Sequence, residues 1–351
     1  MKKIIVILAG GMFLTNCSSK LAPVSKDALK PIVVTQPTPH DTDDPAIWIN
    51  KNNPAASLII GTDKEEATGG LYAYDLQGKI VNKVYPMDRP NNVDITYDFD
   101  LNGKKVDIAI ATERKQNKIR IFSLPDLKPL DNGGIAVFED SDLKDPMGIA
   151  IYTHPTTQKM YAIVGRKEGT SGSYLYQYEL KANNGSIQAN LVRKFGNYSG
   201  KKEIEAIMVD NELGYVYYSD ETVGIRKYYA DPEKGNDELA LFGTEDFKRD
   251  HEGIALYKTS KTEGYILVSD QQANNFIVYP REGSNGANQH DMIAKIPFST
   301  VECDGADAVN FNFGNTYTNG IFVAMSNGNV FHIYDWNIIQ KEIDKQIKAK
   351  N

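Results

Sequence analysis

A short apolar run entered through an acidic or amide residue recurs along this chain, and that recurrence limits the possible folds more than any other feature. It appears as HDTDDPAIWIN at His40–Asn50, NNVDI at Asn91–Ile95, IEAIMV at Ile204–Val209, HEGIALY at His251–Tyr257 and CDGADAV at Cys303–Val309, with a weaker copy, DPMGIAIY, at Asp145–Tyr152. With Asp44, Asp94, Met147, Glu205, Glu252 and Asp304 taken as equivalent points, the successive separations are 50, 53, 58, 47 and 52 residues, which defines six units. Each unit repeats an internal order: the apolar run, a second strand ending in a small or polar residue, and a third with paired aromatics such as Tyr72/Tyr74 or Tyr176/Tyr178. Repeats of this length made of several strands are the signature of propeller blades, each of which buries its faces only against its neighbours. The expectation is an all-β, six-bladed β-propeller. A β-sandwich array is the alternative, but it gives no reason for a polar residue at the same point of successive units, whereas the innermost strands of a propeller converge on one channel.

Short alternating or apolar runs rich in tyrosine, punctuated by Gly, Asn and Asp, fill the chain between these points, and helical periodicity emerges only at Asn337–Lys350. The N-terminus differs. Lys2 and Lys3 precede the apolar stretch Ile4–Leu14, which is too short to span a bilayer as a helix and reads as a signal peptide. Leu14-Thr15-Asn16-Cys17 resembles a bacterial lipoprotein cleavage site, with Asn16 a departure from the usual Gly, Ala or Ser, so residues 1–17 are expected to be a leader ending at a lipidated Cys17. Secretion without an anchor is the alternative. Residues 18–31 read as a tether and 32–351 as the propeller. The chain is thus expected to be exported and held at a bacterial envelope by its lipid alone, acting as a monomer. With Cys17 lipidated, Cys303 has no partner, so no disulfide framework exists. Mean hydropathy of −0.42 argues against a polytopic membrane protein. Forty-six acids against 39 bases, a net charge of −7, gives no support to nucleic-acid binding.

Placed around one axis, Asp43, Asp44, Glu205, Asp250, Glu252, Gln271 and Asp304 crowd one end of the channel. Taken singly, each is more readily a solvated loop acid or a cap. Together they form an oxygen-only donor set with no Cys or clustered His to suggest zinc, and an irregular ring of carboxylates suits the six to eight oxygens of calcium better than the tight octahedron of magnesium. Cations recur at a second position, the end of the second strand, in Thr62-Asp63-Lys64, Thr112-Glu113-Arg114 and Gly165-Arg166-Lys167-Glu168. Alone, each is an ordinary surface cation; beside a metal-loaded carboxylate cluster, Lys64, Arg114 and Lys167 point to an anionic substrate such as a phosphate ester.

The segments DDPAIW (Asp43–Trp48), NNVDITYDFDLNGKKVDIAIA (Asn91–Ala111), GRKEG (Gly165–Gly169), DHEG (Asp250–Gly253) and CDGADAV resemble, in this order, those of the β-propeller phytases, and the resemblance runs from about Thr42 to Trp336. That family removes phosphates from myo-inositol hexakisphosphate with calcium. The resemblance implies a phosphoric monoester hydrolase of the 3-phytase type needing several calcium ions and acting on a small polyanion, calcium-phytate. It implies that Asp43, Asp44, Glu205, Glu221, Asp250, Glu252, Gln271 and Asp304 hold active-site calcium or water, and that Lys64, Arg114 and Lys167, with Asn91 and Asn92, contact phosphate. The implied reaction is direct in-line attack by a calcium-activated water, without a covalent intermediate. Three departures stand out: Met147 replaces a tyrosine ligand, Glu65 stands where a second lysine often follows Lys64, and the acidic loop before the last blade is shortened to Val301-Glu302-Cys303-Asp304. Two other readings remain open on the residues alone: a calcium propeller that opens lactones or esters, and a non-enzymatic surface lipoprotein that uses the propeller only to bind.

Overall fold

The computed structural model describes residues 21–350. Cys17, its leader and the first residues of the expected tether lie outside them. The chain forms six four-stranded antiparallel sheets, a six-bladed β-propeller. Blade 1 comprises Thr42–Trp48, Leu58–Asp63, Gly69–Tyr74 and Ile80–Met87; blade 2 comprises Pro90–Leu101, Lys104–Glu113, Lys118–Leu124 and Ile135–Ala136; blade 3 comprises Pro146–Thr153, Met160–Arg166, Leu175–Asn183 and Ser186–Phe195. Blade 4 follows with Ile207–Asp210, Tyr215–Asp220, Gly224–Tyr229 and Ala240–Phe242, and blade 5 with His251–Lys258, Gly264–Asp270, Asn275–Pro280 and Ala294–Pro297. Blade 6 takes Ala306–Val309, Ile321–Ser326 and Val330–Asp335 from the C-terminal end and its outermost strand, Val33–Val34, from the N-terminal end. Pairing of Val33 with Ile333 and Val34 with His332 therefore closes the ring with both ends of the chain in one sheet.

The uninterrupted apolar run of each inner strand follows from burial on both faces. Successive side chains point to opposite sides of a strand, so in blade 1 Ala46 and Trp48 pack with Val93, Ala111 and Phe122 of blade 2, while Ile47 packs with Val323, Phe331 and Ile333 of blade 6. Blades 1 and 6 approach closely at Gly61, where a Cβ would lie 2.2 Å from the ring of Phe331. The helix expected at Asn337–Lys350 runs Trp336–Lys350; its buried Trp336, Ile339 and Ile343 make one stripe against the core of blades 5 and 6. Residues 22–29, in the stretch read as a tether, hydrogen-bond to blade 5 through Ala22 N to Gln272 O at 2.9 Å and Leu29 N to Pro297 O at 2.8 Å. Arg281 of blade 5 clamps Asp210 of blade 4 with two bonds of 2.6 and 2.7 Å, both side chains fully buried, so charge pairing reinforces this seam.

One backbone hydrogen bond recurs in every blade and fixes the equivalences. The N–H of the residue after the second strand donates to the carbonyl just before the inner strand: Lys64 to Asp41, Arg114 to Arg89, Lys167 to Asp145, Glu221 to Glu203, Gln271 to Asp250 and Asn327 to Val301. By this register the equivalent mouth residues are Asp43, Asn91, Met147, Glu205, Glu252 and Cys303. The points taken from the sequence were thus correct in blades 3, 4 and 5, one residue late in blades 1 and 6, and three late in blade 2, because Asp94 lies deeper along its strand. In blades 1, 2, 3 and 5 a bulge interrupts pairing here, between Thr42 and Pro45, Pro90 and Val93, Pro146 and Ile149, and His251 and Ile254. A bulge adds a residue to one strand and re-aims its side chains, and these bulges contain Asp43, Asp44, Asn91, Asn92, Met147 and Glu252.

Candidate active site

The six residues that donate the recurring bond form a ring around the channel mouth, and their chemistry divides it. Blades 1, 2 and 3 supply Lys64, Arg114 and Lys167; blades 4, 5 and 6 supply Glu221, Gln271 and Asn327. The position before each holds the local backbone: Asp63, Glu113, Asp220 and Asp270, all buried, accept the N–H of Asp41, Asp88, Ser199 and Lys248 at 2.8–3.0 Å, and in blade 3 Arg166 instead donates to the Leu143 carbonyl at 2.8 Å. These acids have structural partners, which sequence alone did not separate from the site acids one register away.

Two groups of carboxylates face the mouth, Asp43 with Glu205 and Asp304, and Glu221 with Asp250 and Glu252; within each, an oxygen from every member lies within 4.8 Å of the others. Burial pushes the Glu205 carboxyl well above the usual carboxylate range, and the negative charges of Asp43 and Asp304 push it further. Asp43 and Glu252 are raised by burial too, and Glu221 is lifted to about 7, burial outweighing the Lys202 ammonium beside it. Such groups demand positive charge. Lys64 sends its ammonium into the first, 2.8 Å from Asp43 Oδ1 and 2.5 Å from Asp304 Oδ2. Burial alone would push that ammonium down, yet Asp43, Asp304 and Glu205 carry it well up. Gln271 joins the groups, its Nε2 donating to Glu252 Oε2 at 3.1 Å and to Asp304 Oδ1 at 2.7 Å.

Asn91 Nδ2 donates to Asp43 Oδ2 at 3.1 Å, and buried oxygens of Asn91, Asn92 and Glu221 have no hydrogen-bond partner. Oxygen-only donors close enough to surround one ion of calcium's radius, with buried oxygens to spare, fit a hard divalent cation. Arg114 is buried, its Nε unpartnered and no nearer than 3.9 Å to Asp145; Lys167 is exposed at its tip, 3.3 Å from Glu203. Asp44 is not drawn into either group. Its Oδ2 accepts the Val93 N–H at 3.1 Å, and it lines a central channel of about 520 Å³ with Asp94 and Asp307. Gly305 makes room for it, since a Cβ there would meet Asp44 Oδ1 at 2.3 Å.

Sequence reasoning missed Lys202 and Gln272. Lys202 Nζ lies 2.7 Å from Glu221 Oε2 and 2.8 Å from Asp250 Oδ2, and Gln272 Nε2 donates to Asp250 Oδ2 at 2.7 Å. Gln272 had a signal, adjacency to Gln271. Lys202 had only a lysine pair shortly before Glu205, outside the positions that recur from unit to unit.

The family model described as phytase matches residues 15–350 of the chain. The chain belongs to the phytase family. A 3-phytase of Bacillus subtilis (strain 168) is 31% identical over 323 residues, covering 86% of this chain and 81% of that one. A solved structure of BBS1N in complex with ARL6DN matches 82% of this chain and 76% of that one at 10% identity and a TM-score of 0.49, too distant to bear on the chemistry. In this phytase, Met147 occupies the bulge position equivalent to Asp43, Glu205 and Glu252; it is fully buried, and its carbonyl accepts the Thr112 hydroxyl at 2.7 Å.

Proposed function

We propose that this phytase is a calcium-dependent phosphomonoesterase that hydrolyses phytate to lower inositol phosphates, with the 3-phytase regiochemistry of its Bacillus relative. The observation that carries this reading is the division of the mouth: blades 1–3 place a cation at one equivalent position, Lys64 among them reaching Asp43 and Asp304, while blades 1, 4, 5 and 6 contribute two oxygen-only carboxylate groups. Asp43, Glu205 and Asp304 would hold one calcium ion, and Glu221, Asp250 and Glu252, with Gln271 between the groups, another. Bound there, calcium supplies charge stabilisation for the transferring phosphoryl group and a water acidic enough to attack it. The remaining work belongs to side chains. Arg114, buried with an unpartnered Nε, presents a planar fork to phosphate oxygens; Lys64 and Lys167 act as point charges. Asn91 fixes the Asp43 carboxylate, and Asn92 keeps a buried amide oxygen without a hydrogen-bond partner. Asp44 lines the channel beside the site.

Phosphate release from phytate and simple phosphate monoesters, and ring opening of lactones, each measured with calcium and in chelator, tests this. Calcium-dependent release from phytate supports it; lactone opening without phosphate release favours the esterase reading, and turnover of nothing favours a binding module.

Met147 gives a sharper test. Met147→Tyr places an oxygen at a position equivalent to three carboxylate ligands, where a water would otherwise complete the coordination. The variant is expected to need less calcium for half-maximal phytate hydrolysis, with the rate at saturating calcium nearly unchanged. A midpoint unmoved or raised in the calcium titration would show that residue 147 does not face the metal.

We also propose that the chain is exported and anchored to a bacterial envelope through lipid on Cys17, on the strength of Lys2, Lys3, the apolar stretch Ile4–Leu14 and the cysteine that follows. Cys17→Ser is expected to move the protein from the detergent-soluble membrane fraction to the aqueous one. Retention of that variant with membranes removes the lipid anchor from the reading.

A further inference from the structure

We propose that Lys202 is an internal counter-ion of the Glu221–Asp250–Glu252 group that competes with a divalent cation for it and, once displaced, serves as an additional phosphate-binding cation. This rests on the calcium-dependent reading above.

The ammonium lies 2.7 Å from Glu221 Oε2 and 2.8 Å from Asp250 Oδ2, so it neutralises two members of the group at once. The loop that delivers it is anchored on both sides of the lysine. The Tyr198 ring packs on Tyr174 with centroids 4.6 Å apart, its N–H donates to Ser171 Oγ at 3.0 Å, and its hydroxyl donates to the carbonyl of Lys202 itself at 2.5 Å. Ser199 donates its N–H and its hydroxyl to the buried Asp220 carboxylate at 3.0 and 2.7 Å. Gly200, at φ +71°, turns the chain between these anchors.

Glu221 is 1% exposed while Lys202 is 40% exposed, so the lysine approaches from solvent and can withdraw to it. It withdraws into a cleft of about 530 Å³ that also contains Lys167, Lys201, Glu168, Glu203 and Tyr198. Fully ionised, the group carries three negative charges, of which one ammonium cancels one and a divalent ion two; the two cations repel each other at this range, so the ion displaces the lysine. Displaced, the ammonium joins Lys167 and Lys201 on the side from which a polyanion would approach. Metal loading then creates a phosphate contact, in a chain where Glu65 and Glu168 follow Lys64 and Lys167 as acids.

Calcium titration calorimetry without substrate on wild type, Lys202→Met and Lys202→Arg tests the competition. The weakest class of calcium sites is expected to tighten by about tenfold in Lys202→Met, the loss of one competing charge at an exposed site, and to stay near wild type in Lys202→Arg. The KM for phytate in saturating calcium is expected to rise in Lys202→Met. Lys202→Gln repeats the measurement should the methionine variant misfold. Wild-type affinities and stoichiometry in Lys202→Met, or weaker binding, overturn the inference while leaving calcium dependence intact. Absence of calcium binding by wild type overturns both, and the two failures are therefore distinct.

Discussion

Glu205→Gln and Asp304→Asn are each expected to lower phytate hydrolysis by about two orders of magnitude or more, the scale of losing several kcal/mol of metal-borne charge stabilisation, with the fold intact. Each amide keeps the shape of the acid and removes its charge. Glu205 lies among Asp43, Asp304 and Lys64, where burial and like charge push its carboxyl well up. Removing one charge relieves that repulsion, so stability should hold or rise while affinity for a divalent cation falls. The propeller itself is held by the blade cores and by the closure at Val33–Val34, which neither substitution touches. Turnover in saturating calcium and melting temperature in chelator separate the outcomes: lost turnover with a melt at or above that of metal-free wild type places the reaction at this group, and near-normal turnover in both variants places it elsewhere on the mouth.

The repeat was legible because burial on both faces forces each inner strand to be continuously apolar, and because a channel mouth admits polar residues at the same point in every unit. Glu205 and Glu252 were found that way. The exact register was not, because the bulges insert a residue that spacing alone cannot assign, which is how Asp94 came to stand for Asn91. The fourth strand of each blade was also invisible. Ile80–Met87 alternates between half-buried and exposed positions, and Ala240–Phe242 has only three residues, so neither carries the apolar signal of a strand buried on both sides. The N-terminal strand of blade 6 is a further case: two residues pair with a strand some three hundred positions away, and no local pattern announces that closure. Lys202 escaped for the opposite reason. It lies outside the recurring apolar-run and strand-end positions, so reasoning by recurrence passes over it, although its ammonium touches two of the site acids.

Removal of divalent cations by excess chelator is expected to abolish phosphate release and to lower the melting temperature together, and readdition of calcium to restore both. A ligand that binds only the folded state adds its binding free energy to folding; an ion at a hundredfold excess over its Kd adds about 2.7 kcal/mol. Two filled groups double that, which for a chain of this size shifts the melt by on the order of 10 °C. The paired loss matters more than its size. Activity lost with an unchanged melt would mean that the ions travel with phytate and do not occupy Asp43, Glu205 and Asp304 in the free protein. A lower melt with activity retained would make them purely structural. Full activity in chelator would end the calcium mechanism. Magnesium should restore less than calcium, because it demands near-ideal octahedral geometry, and the carboxylates here come from blades 1, 4, 5 and 6 on separate backbones that cannot close on a smaller ion without moving the sheets that carry them.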